Sequence, residues 1–482
     1  MVFRHVLLLA LVALPAALGA SASDFKSRVI YQLLTDRFFY SGAKGACQDL
    51  STFCGGDWAG ITAKLDYLQQ LGVDALWISP VVENYPGGYH GYWTTDLYSL
   101  NSHFGSADDL RQLIQECHNR GFLVLFDVVA NHMGGTINDI GSFNPFNESQ
   151  HYHDCSKCPS SCAIEDYSND QQVRLCRLAG LPDLNQTNPF VGTTLVKWIG
   201  DLVQEYGADG VRIDTVPEVN TDFWTQFQKS AGVFGIGEVF NGDPSYVAKF
   251  QGPLDATLSY PLFFTMRNVF GSQQSMYQLQ SMLQQYQQAF SDPSVLGTFL
   301  DNHDNARFLH NQGDHTLYMN ALLFTLFTQG IPVVYYGSEA GFSGGNDPAN
   351  RESLWSAGFD TSGDLFKFIA KAIALRKQQR VWEEGQVQRY ADDNFYAFTR
   401  GQLFVATTNV GSHGSDVSRP ITYHPYAEGT KLCELLRDPS DCVTVSGGKF
   451  QVTLTQGLPK LYAPQSGEVA AADVVGGSVA TA

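Results

Sequence analysis

The chain has 482 residues, of which 44% are hydrophobic and 16% are charged, and 48 acidic against 30 basic residues leave a formal net charge of −18. This length predicts roughly two or three domains, and the composition excludes disordered, collagen-like and membrane-spanning chains. The negative charge repels phosphate backbones, so we expect no nucleic-acid partner and favour a neutral or cationic ligand.

The first 22 residues have the pattern of a secretory signal peptide, in which basic residues precede a short apolar run and small residues follow. The run is too short to span a bilayer, and no later stretch is long enough. We therefore expect a protein secreted to the extracellular space, with N-glycosylation acceptors at Asn147 and Asn185. The tail over 465–482 is predicted to be disordered, and Asp473 argues against a lipid-anchor signal there.

Short apolar runs alternate with longer amphipathic ones from residue 23 to residue 382. This alternation is typical of βα units around a parallel sheet, and it predicts an eight-stranded (β/α)8 TIM barrel. The predicted strands are 29–34, 75–78, 122–126, 210–213, 233–236, 256–258, 296–299 and 332–335.

Two segments depart from this rhythm. Residues 133–184 are rich in Gly, Asn, Ser and Cys, so we interpret them as a small domain inserted after the third strand, between barrel segments 23–132 and 185–382. Over 383–464 the pattern changes to short strands separated by turns, which predicts a C-terminal antiparallel β-sandwich domain.

Nine cysteines in a secreted chain favour disulfide bonds. The clustering of the cysteines along the chain suggests three local pairs: Cys47–Cys54, Cys162–Cys176 and Cys433–Cys442. Cys155 and Cys158 either pair with each other or exchange partners with the second of these pairs, so the connectivity there stays open. Cys117, inside a helical pattern, is the expected free and buried thiol.

Polar residues directly follow several predicted strands, where a TIM barrel places its reactive groups. Taken singly, each acid could cap a helix. Together they would converge at one mouth and supply what a glycosidase needs, an ionised carboxylate and a carboxylic acid on adjacent strands. The residues are Asp127 after the third strand, Arg212 and Asp214 at the fourth, Glu238 at the fifth, and His303 and Asp304 after the seventh.

The segments around these residues resemble a known family. DVVANH (127–132), GVRID (210–214), GIGEVF (235–240) and FLDNHD (299–304) are similar, in this order, to the four signature regions of the α-amylase family of retaining glycoside hydrolases. YHGYW (89–93) and GGNDPANRE (344–352) resemble the secreted fungal, Taka-type members in particular. Over 27–464, the resemblance implies endo-hydrolysis of internal α-1,4-glucosidic bonds in starch, glycogen and maltooligosaccharides, with retention through a covalent glycosyl-enzyme.

The resemblance also implies roles for single residues. Asp214 is similar to the family's nucleophile, Glu238 to its general acid/base and Asp304 to the third carboxylate that stabilises developing charge. The implied substrate contacts are His90, Tyr92, Trp93, His132, Arg212, His303, Asp347 and Arg351.

The family usually holds one structural calcium, and here the sequence departs from it. Asn131 and Asp183 match two ligands, and the backbone carbonyl of Glu218 could serve as another. Arg174 stands where the Taka type carries a carboxylate, and a guanidinium cannot ligate Ca²⁺. Either calcium binds weakly with help from other carboxylates, or the Arg174 cation pairs with Asp183 and replaces the metal.

Pro217-Glu218 is a second departure, because the Taka type carries Lys-His there and the positive contact on the leaving-group side is gone. A 4-α-glucanotransferase or an α-glucosidase on the same fold therefore stays an alternative to the hydrolase. An inactive carbohydrate-binding protein is a remote alternative, since all three acids are present. We expect a monomer.

Overall fold

Eight parallel strands form a barrel in the computed structural model, which describes residues 19–465. The strands up to residue 335 are β1 Ile30–Gln32, β2 Ala75–Ile78, β3 Val82–Asn84, β4 Thr94–Leu100, β5 Leu123–Val128, β6 Gly210–Ile213, β7 Phe234–Gly237, β8 Ala256–Thr257, β9 Gly297–Phe299 and β10 Ile331–Tyr335. Of these, β3 and β4 form a separate hairpin after the second barrel strand, and the other eight form the barrel.

The barrel strands follow the order β8-β7-β6-β5-β2-β1-β10-β9 and are joined by parallel ladders. A parallel bridge between Leu258 and Gly297 links the two outer strands and closes the ring. Each predicted strand overlaps one of these eight, so the predicted barrel is confirmed. Its strands are buried on both faces, as continuous apolar runs inside a layer of helices require.

The helices are α1 Ala22–Lys26, α2 Thr35–Phe38, α3 Trp58–Ala63, α4 Leu65–Leu71, α5 Ala107–Asn119, α6 Asp170–Leu175, α7 Pro189–Tyr206, α8 Thr221–Ala231, α9 Pro244–Val247, α10 Tyr260–Met266, α11 Tyr277–Ala289, α12 Phe308–Asn311, α13 His315–Phe327 and α14 Asp364–Gln378. Local signals set their ends. Asn188 caps α7 by accepting from the Phe190 N–H, Pro189 follows at the first position, and Gly207 ends the helix at φ 75°. Within residues 19–465, none of the helices has both the length and the apolar character needed to cross a bilayer.

The segment between β5 and α7 contains α6, and its two ends are held together. Met133 N–H donates to the Pro182 carbonyl at 3.0 Å, and Leu184 N–H donates to the Asn131 carbonyl at 2.9 Å. Both bonds lie beside the barrel mouth, so this segment forms one wall of it. The boundaries 133–184 of an inserted domain stay a prediction.

The disulfides confirm two predicted pairs and correct the third. Cys47–Cys54 and Cys433–Cys442 are bonded as expected. Cys176 bonds to Cys158 instead of Cys162, which is the exchange of partners that the sequence left open, and Cys155 and Cys162 are free thiols. Cys158 packs against the small apolar cluster that contains Cys176, while Cys162 lies in a turn at φ 59°. Cys117 is free and buried as predicted, and burial raises its pKa to about 12.

The C-terminal part is antiparallel. Its strands are β11 Gln386–Ala391, β12 Phe395–Arg400, β13 Leu403–Thr408, β14 Val417–Ile421, β15 Lys431–Glu434, β16 Cys442–Thr444, β17 Phe450–Leu454 and β18 Lys460–Pro464. A six-stranded sheet, β11-β12-β13-β18-β15-β16, shares an apolar core with the β14–β17 pair. The predicted C-terminal β domain is therefore confirmed. Residues 1–18 of the predicted signal peptide and 466–482 of the predicted tail lie outside the described residues.

Candidate active site

The guanidinium of Arg212 lies at the centre of the barrel mouth and contacts three carboxylates. Its Nη1 is 2.9 Å from Oδ1 of Asp127 and 2.8 Å from Oδ1 of Asp214, and its Nη2 is 2.9 Å from Oε2 of Glu238. Arg212 is the third residue of β6, Asp214 follows the end of the same strand, and Glu238 follows β7. The parallel register of β6 and β7 thus places both acids on one cation, as predicted from the strand ends.

Glu238 is held by neutral donors as well. The Tyr260 hydroxyl donates to Oε1 at 3.2 Å, and the Thr215 backbone N–H donates to Oε2 at 3.3 Å. Thr215 adopts the left-handed region at φ 48°, which a β-branched residue rarely does. This strained turn directs an N–H from the residue after Asp214 towards the second acid.

Burial and charge act against each other at the acids. Burial raises the pKa of Asp214 well above its usual range, and the Arg212 cation opposes this shift. The pKa of Asp127 is raised in the same way, although this carboxylate also accepts from Trp77 Nε1 at 2.9 Å and the Tyr92 hydroxyl at 2.6 Å. Asp127 is fully buried, and it anchors Arg212 and Tyr92 at the floor of the site.

Asp304 lies on the opposite side of the mouth with a third of its side chain exposed. Its carboxylate is 3.4 Å from His303 Nε2 and 3.7 Å from Arg351 Nη2. Arg351 also contacts Oδ1 of Asp347 at 2.9 Å and donates to the Tyr89 hydroxyl at 3.0 Å. The loop after β10 therefore reaches the site through one buried arginine, and Asp347 remains half exposed.

Three imidazoles and two aromatic rings form the remaining wall. The ring of Tyr92 stacks on His303 at 5.1 Å and on His90 at 5.7 Å, and the edge of His90 meets Trp93 at 4.7 Å. His132 lies close by, with Nε2 3.1 Å from the Tyr92 carbonyl. The loop joining β3 to β4 carries the segment 90–93, which explains how it reaches the mouth.

These imidazoles are neutral. Burial lowers the pKa of His132 to about 4, and burial together with the nearby Arg351 cation holds the pKa of His90 and of His303 well below the usual range. Neutral rings offer one donor and one acceptor each, which suits uncharged hydroxyl groups. All eleven residues predicted as catalytic or substrate-binding therefore lie around this mouth.

The candidate calcium ligands lie beside it. Oδ1 of Asn131 is buried and has no hydrogen-bond partner in the described part of the chain. A buried oxygen without a partner is what a metal ligand looks like when the metal is left out. Oδ2 of Asp183, however, is 2.6 Å from Nδ1 of His153, and burial raises the pKa of Asp183 to about 6. The Glu218 side chain is buried too, and burial together with nearby Glu238 raises its pKa to about 8.

Arg174 does not pair with Asp183, which corrects one of the two alternatives from the sequence. Its guanidinium is 3.6 Å from Asp170, one turn earlier on α6, and 41% of the side chain is exposed, so its charge stays in water. Among residues 19–465, no three His, Cys, Asp or Glu side chains are grouped as a metal site. A Ca²⁺ ion takes about six to eight oxygen ligands, so at this site it would depend on the Asn131 amide oxygen, the Asp183 carboxylate and backbone carbonyls, with Arg174 turned away.

Sequence reasoning missed several partners of the acids. Tyr260 opens α10 after the short strand β8, and a lone Tyr in an apolar run does not predict that its buried hydroxyl will donate to Glu238. Trp77, at the third position of β2, is likewise predicted as a core residue, and its bond to Asp127 is not. His153 comes from the irregular segment before α6, where no periodicity predicts which side chain turns inward.

Comparisons with known proteins agree with this geometry. The family model described as "Alpha amylase, catalytic domain" matches residues 32–364. The chain is 37% identical to the alpha-amylase of Saccharomycopsis fibuligera, over 92% of each chain. The solved structure of an alpha-amylase from Malbranchea cinnamomea matches with a TM-score of 0.87 at 36% identity, covering 92% of this chain and 98% of that one. A cyclomaltodextrin glucanotransferase with a three-domain distribution matches at 0.78 and 25% identity, covering 90% and 98%.

Proposed function

Because this chain belongs to the α-amylase family of glycoside hydrolases, we propose that it is a secreted α-amylase that cleaves internal α-1,4-glucosidic bonds of starch, glycogen and maltooligosaccharides. One observation carries the proposal: a single guanidinium, that of Arg212, holds Asp214 and Glu238 at the barrel mouth. Secretion is supported by the three disulfides and by the N-terminal pattern.

In the first step, Glu238 donates its proton to the glycosidic oxygen while Asp214 attacks the anomeric carbon. The leaving glucan departs with the proton, and a glycosyl ester forms on Asp214. Arg212 lowers the pKa of Asp214 against the effect of burial and so favours the ionised carboxylate that attacks. Asp304, across the mouth, faces the positive charge that develops on the sugar ring.

In the second step, Glu238 takes a proton from water, the water oxygen attacks the anomeric carbon, and Asp214 leaves as a carboxylate. Two inversions give net retention. Tyr260 and the Thr215 N–H keep the Glu238 carboxyl in one orientation through both steps, because each binds a different oxygen. The neutral rings of His90, His132 and His303 hold sugar hydroxyls at the cleavage point.

The protein does not depend on calcium in this proposal. The His153–Asp183 contact ties the segment before α6 to the end of the 133–184 segment, where the Leu184 N–H donates to the Asn131 carbonyl. The two contacts together make the link that a metal between barrel and insert would make. Weak binding through Asn131 and the Glu218 carbonyl is the competing outcome. A calcium titration followed by thermal melting separates the two.

The test of the main proposal is a product time course from soluble starch and maltoheptaose, with the anomeric form followed by NMR. We expect a rapid loss of viscosity and short oligosaccharides released as α-anomers. Asp214→Asn and Glu238→Gln should abolish turnover while melting like the parental protein. Near-normal turnover in either variant would refute the assigned roles.

A 4-α-glucanotransferase is the second candidate, supported by the structural match to a cyclomaltodextrin glucanotransferase and by Pro217-Glu218 on the leaving-group side. In the same time course, products longer than the starting heptaose would favour it. An α-glucosidase would instead release glucose from chain ends without the loss of viscosity.

A further inference from the structure

A cleft of about 480 Å³ lies between α11 and β11, where the barrel meets the C-terminal strands. Six of the nine described residues that line it are glutamines, and none of the nine is charged. Its volume is in the range of pockets that hold small molecules. We call it the glutamine cleft after Gln280, Gln284, Gln287, Gln329, Gln386 and Gln388.

The glutamine cleft lies at the end of the barrel opposite to the mouth. Gln329 comes two residues before β10, whereas the residues of the mouth follow their strands. Nε2 of Gln287 donates to Oε1 of Gln329 at 3.1 Å, and the Gln329 N–H donates to Oε1 of Gln386 at 2.7 Å. These two bonds join the end of α11, the start of β10 and the start of β11 into one wall. The cleft is therefore not a continuation of the active site.

The helix on one side of the cleft carries no charged residue. Residues 268–291 contain no Asp, Glu, Lys or Arg and include eight glutamines, in a chain with a net charge of −18. The solvent-facing side of a helix usually carries charged residues. In α11 the residues Tyr277, Gln280, Gln284 and Gln287 follow each other at spacings of three and four, which places them on one face. This face therefore suits a neutral ligand, because no charge has to be taken out of water when the ligand binds.

The side chains of the cleft match the chemistry of a sugar. Each glutamine amide offers an oxygen acceptor and two N–H donors, and sugar hydroxyls both donate and accept. The Gln386 amide is held in place, since its Oε1 also accepts from the Thr328 hydroxyl at 3.0 Å. The Tyr277 ring is half exposed at the start of the glutamine stripe, where it offers a flat apolar surface to a sugar ring. The buried ring of Tyr396 forms an apolar floor.

We propose that the glutamine cleft is a second binding site for an uncharged polyhydroxyl chain, an α-glucan, remote from the barrel mouth. This inference rests on the proposed function, because it names the same polymer as the ligand of a separate site. A long glucan can occupy the cleft and the mouth together, and binding at the cleft then raises the effective concentration of the chain at the mouth. A short oligosaccharide occupies one site at a time and gains nothing from the second.

Binding is tested by electrophoresis of the full chain in native gels that contain glycogen. Every protein carries Asp214→Asn, so that the glycogen stays intact during the run. Gln284→Glu places a charge in the cleft and Tyr277→Ala removes the exposed ring, and each should weaken the apparent affinity for glycogen by about threefold or more. Gln285→Glu is the matched control, because it adds the same charge at the next exposed position of α11 and does not line the cleft. It should bind glycogen like its parent.

Activity gives a second measurement, in proteins that keep Asp214. Gln284→Glu should lower kcat/KM for glycogen by about threefold and leave kcat/KM for maltoheptaose unchanged, whereas Gln285→Glu should change neither. Equal losses on the two substrates would overturn the proposal, because they would assign the change to the mouth or to stability. A dimer in sedimentation that Gln284→Glu separates would also overturn it, because the cleft would then hold a second copy of the chain.

Failure of the proposed function is distinguishable from failure of this inference. If the parental protein cleaves neither starch nor maltoheptaose, the proposed function fails. The comparison of Gln284→Glu with Gln285→Glu in glycogen gels needs no turnover, so it decides the cleft alone. Weaker binding in Gln284→Glu only supports the second site, and equal binding in the two variants refutes it.

Discussion

Replacing Arg212 by lysine tests whether one guanidinium organises the acids. Lysine keeps the positive charge but has a single ammonium, so it cannot reach Asp127, Asp214 and Glu238 together as the planar fork does at 2.8–2.9 Å. The variant therefore loses about two charge-assisted hydrogen bonds, at about 1.5–3 kcal/mol each. If this loss falls on the transition state, it totals about 3–6 kcal/mol, and kcat/KM drops by about 10²- to 10⁴-fold.

The assay is kcat/KM for maltoheptaose, measured together with thermal melting. Arg376→Lys is the matched control, because Arg376 is equally buried but donates to the backbone carbonyls of Leu326 and Gly330 instead of to the acids. Both variants lose buried hydrogen bonds and should melt at lower temperature. Only Arg212→Lys should lose activity at a temperature where both are folded.

Activity of Arg212→Lys within about threefold of the parental protein, equivalent to less than 1 kcal/mol, would refute the reasoning. Equal losses in the two variants would also count against it, because they would assign the effect to general stability. A loss confined to Arg212→Lys places the guanidinium among the groups that act on the reacting centre.

Three further outcomes are expected. A chelator should change the melting temperature by less than about 2 °C, since in our proposal the His153–Asp183 contact supplies the link that calcium would make; a fall of many degrees that added Ca²⁺ reverses would show that the metal is bound. Cys158→Ser should cost about 3 kcal/mol in urea unfolding by opening the bridge to Cys176, whereas Cys162→Ser should be close to neutral, and the reverse order would reinstate the sequence-based pairing. His303 is held neutral in the fold, so protons bind the unfolded chain better as the pH falls below about 6.5. The free energy of unfolding of the parental protein relative to His303→Gln should thus drop by about 2 kcal/mol between pH 6.5 and pH 5, and a constant difference would contradict the buried neutral ring.

The barrel was predictable because each strand is an apolar run bounded by helical periodicity. β2 and β6 coincide with their predicted ranges, and even the two-residue β8 lies within its predicted run. The positions of Asp214 and Glu238 followed from the same logic, since a residue after a barrel strand must face the mouth. The local hydrophobic periodicity is therefore enough to predict the strands and the residues that follow them, without knowledge of any long-range contact.

The pairings in the segment before α6 were not predictable by that logic. Four cysteines lie between residues 155 and 176. The choice of Cys158 over Cys162 as the partner of Cys176 depends on which thiol packs with Val173 and Ile164. The same holds for Asp183, which His153 reaches only after the segment has folded back on the barrel. Irregular backbone has no period, so its contacts are set by tertiary packing alone.

Glu218 shows how a departure in sequence acquires meaning from structure. In the sequence, Pro217-Glu218 stands where the Taka-type pattern has Lys-His, and it predicts the loss of a positive contact and a backbone carbonyl that could serve a metal. In the fold, Glu218 is a buried carboxyl with one oxygen that has no hydrogen-bond partner among residues 19–465, on the wall of a cavity that Glu238 also lines. A buried acid without a partner costs stability, and burial together with nearby Glu238 raises its pKa to about 8. Burial therefore favours the uncharged form of the Glu218 carboxyl at neutral pH, and this property depends on the folded surroundings, which no sequence pattern around Glu218 predicts.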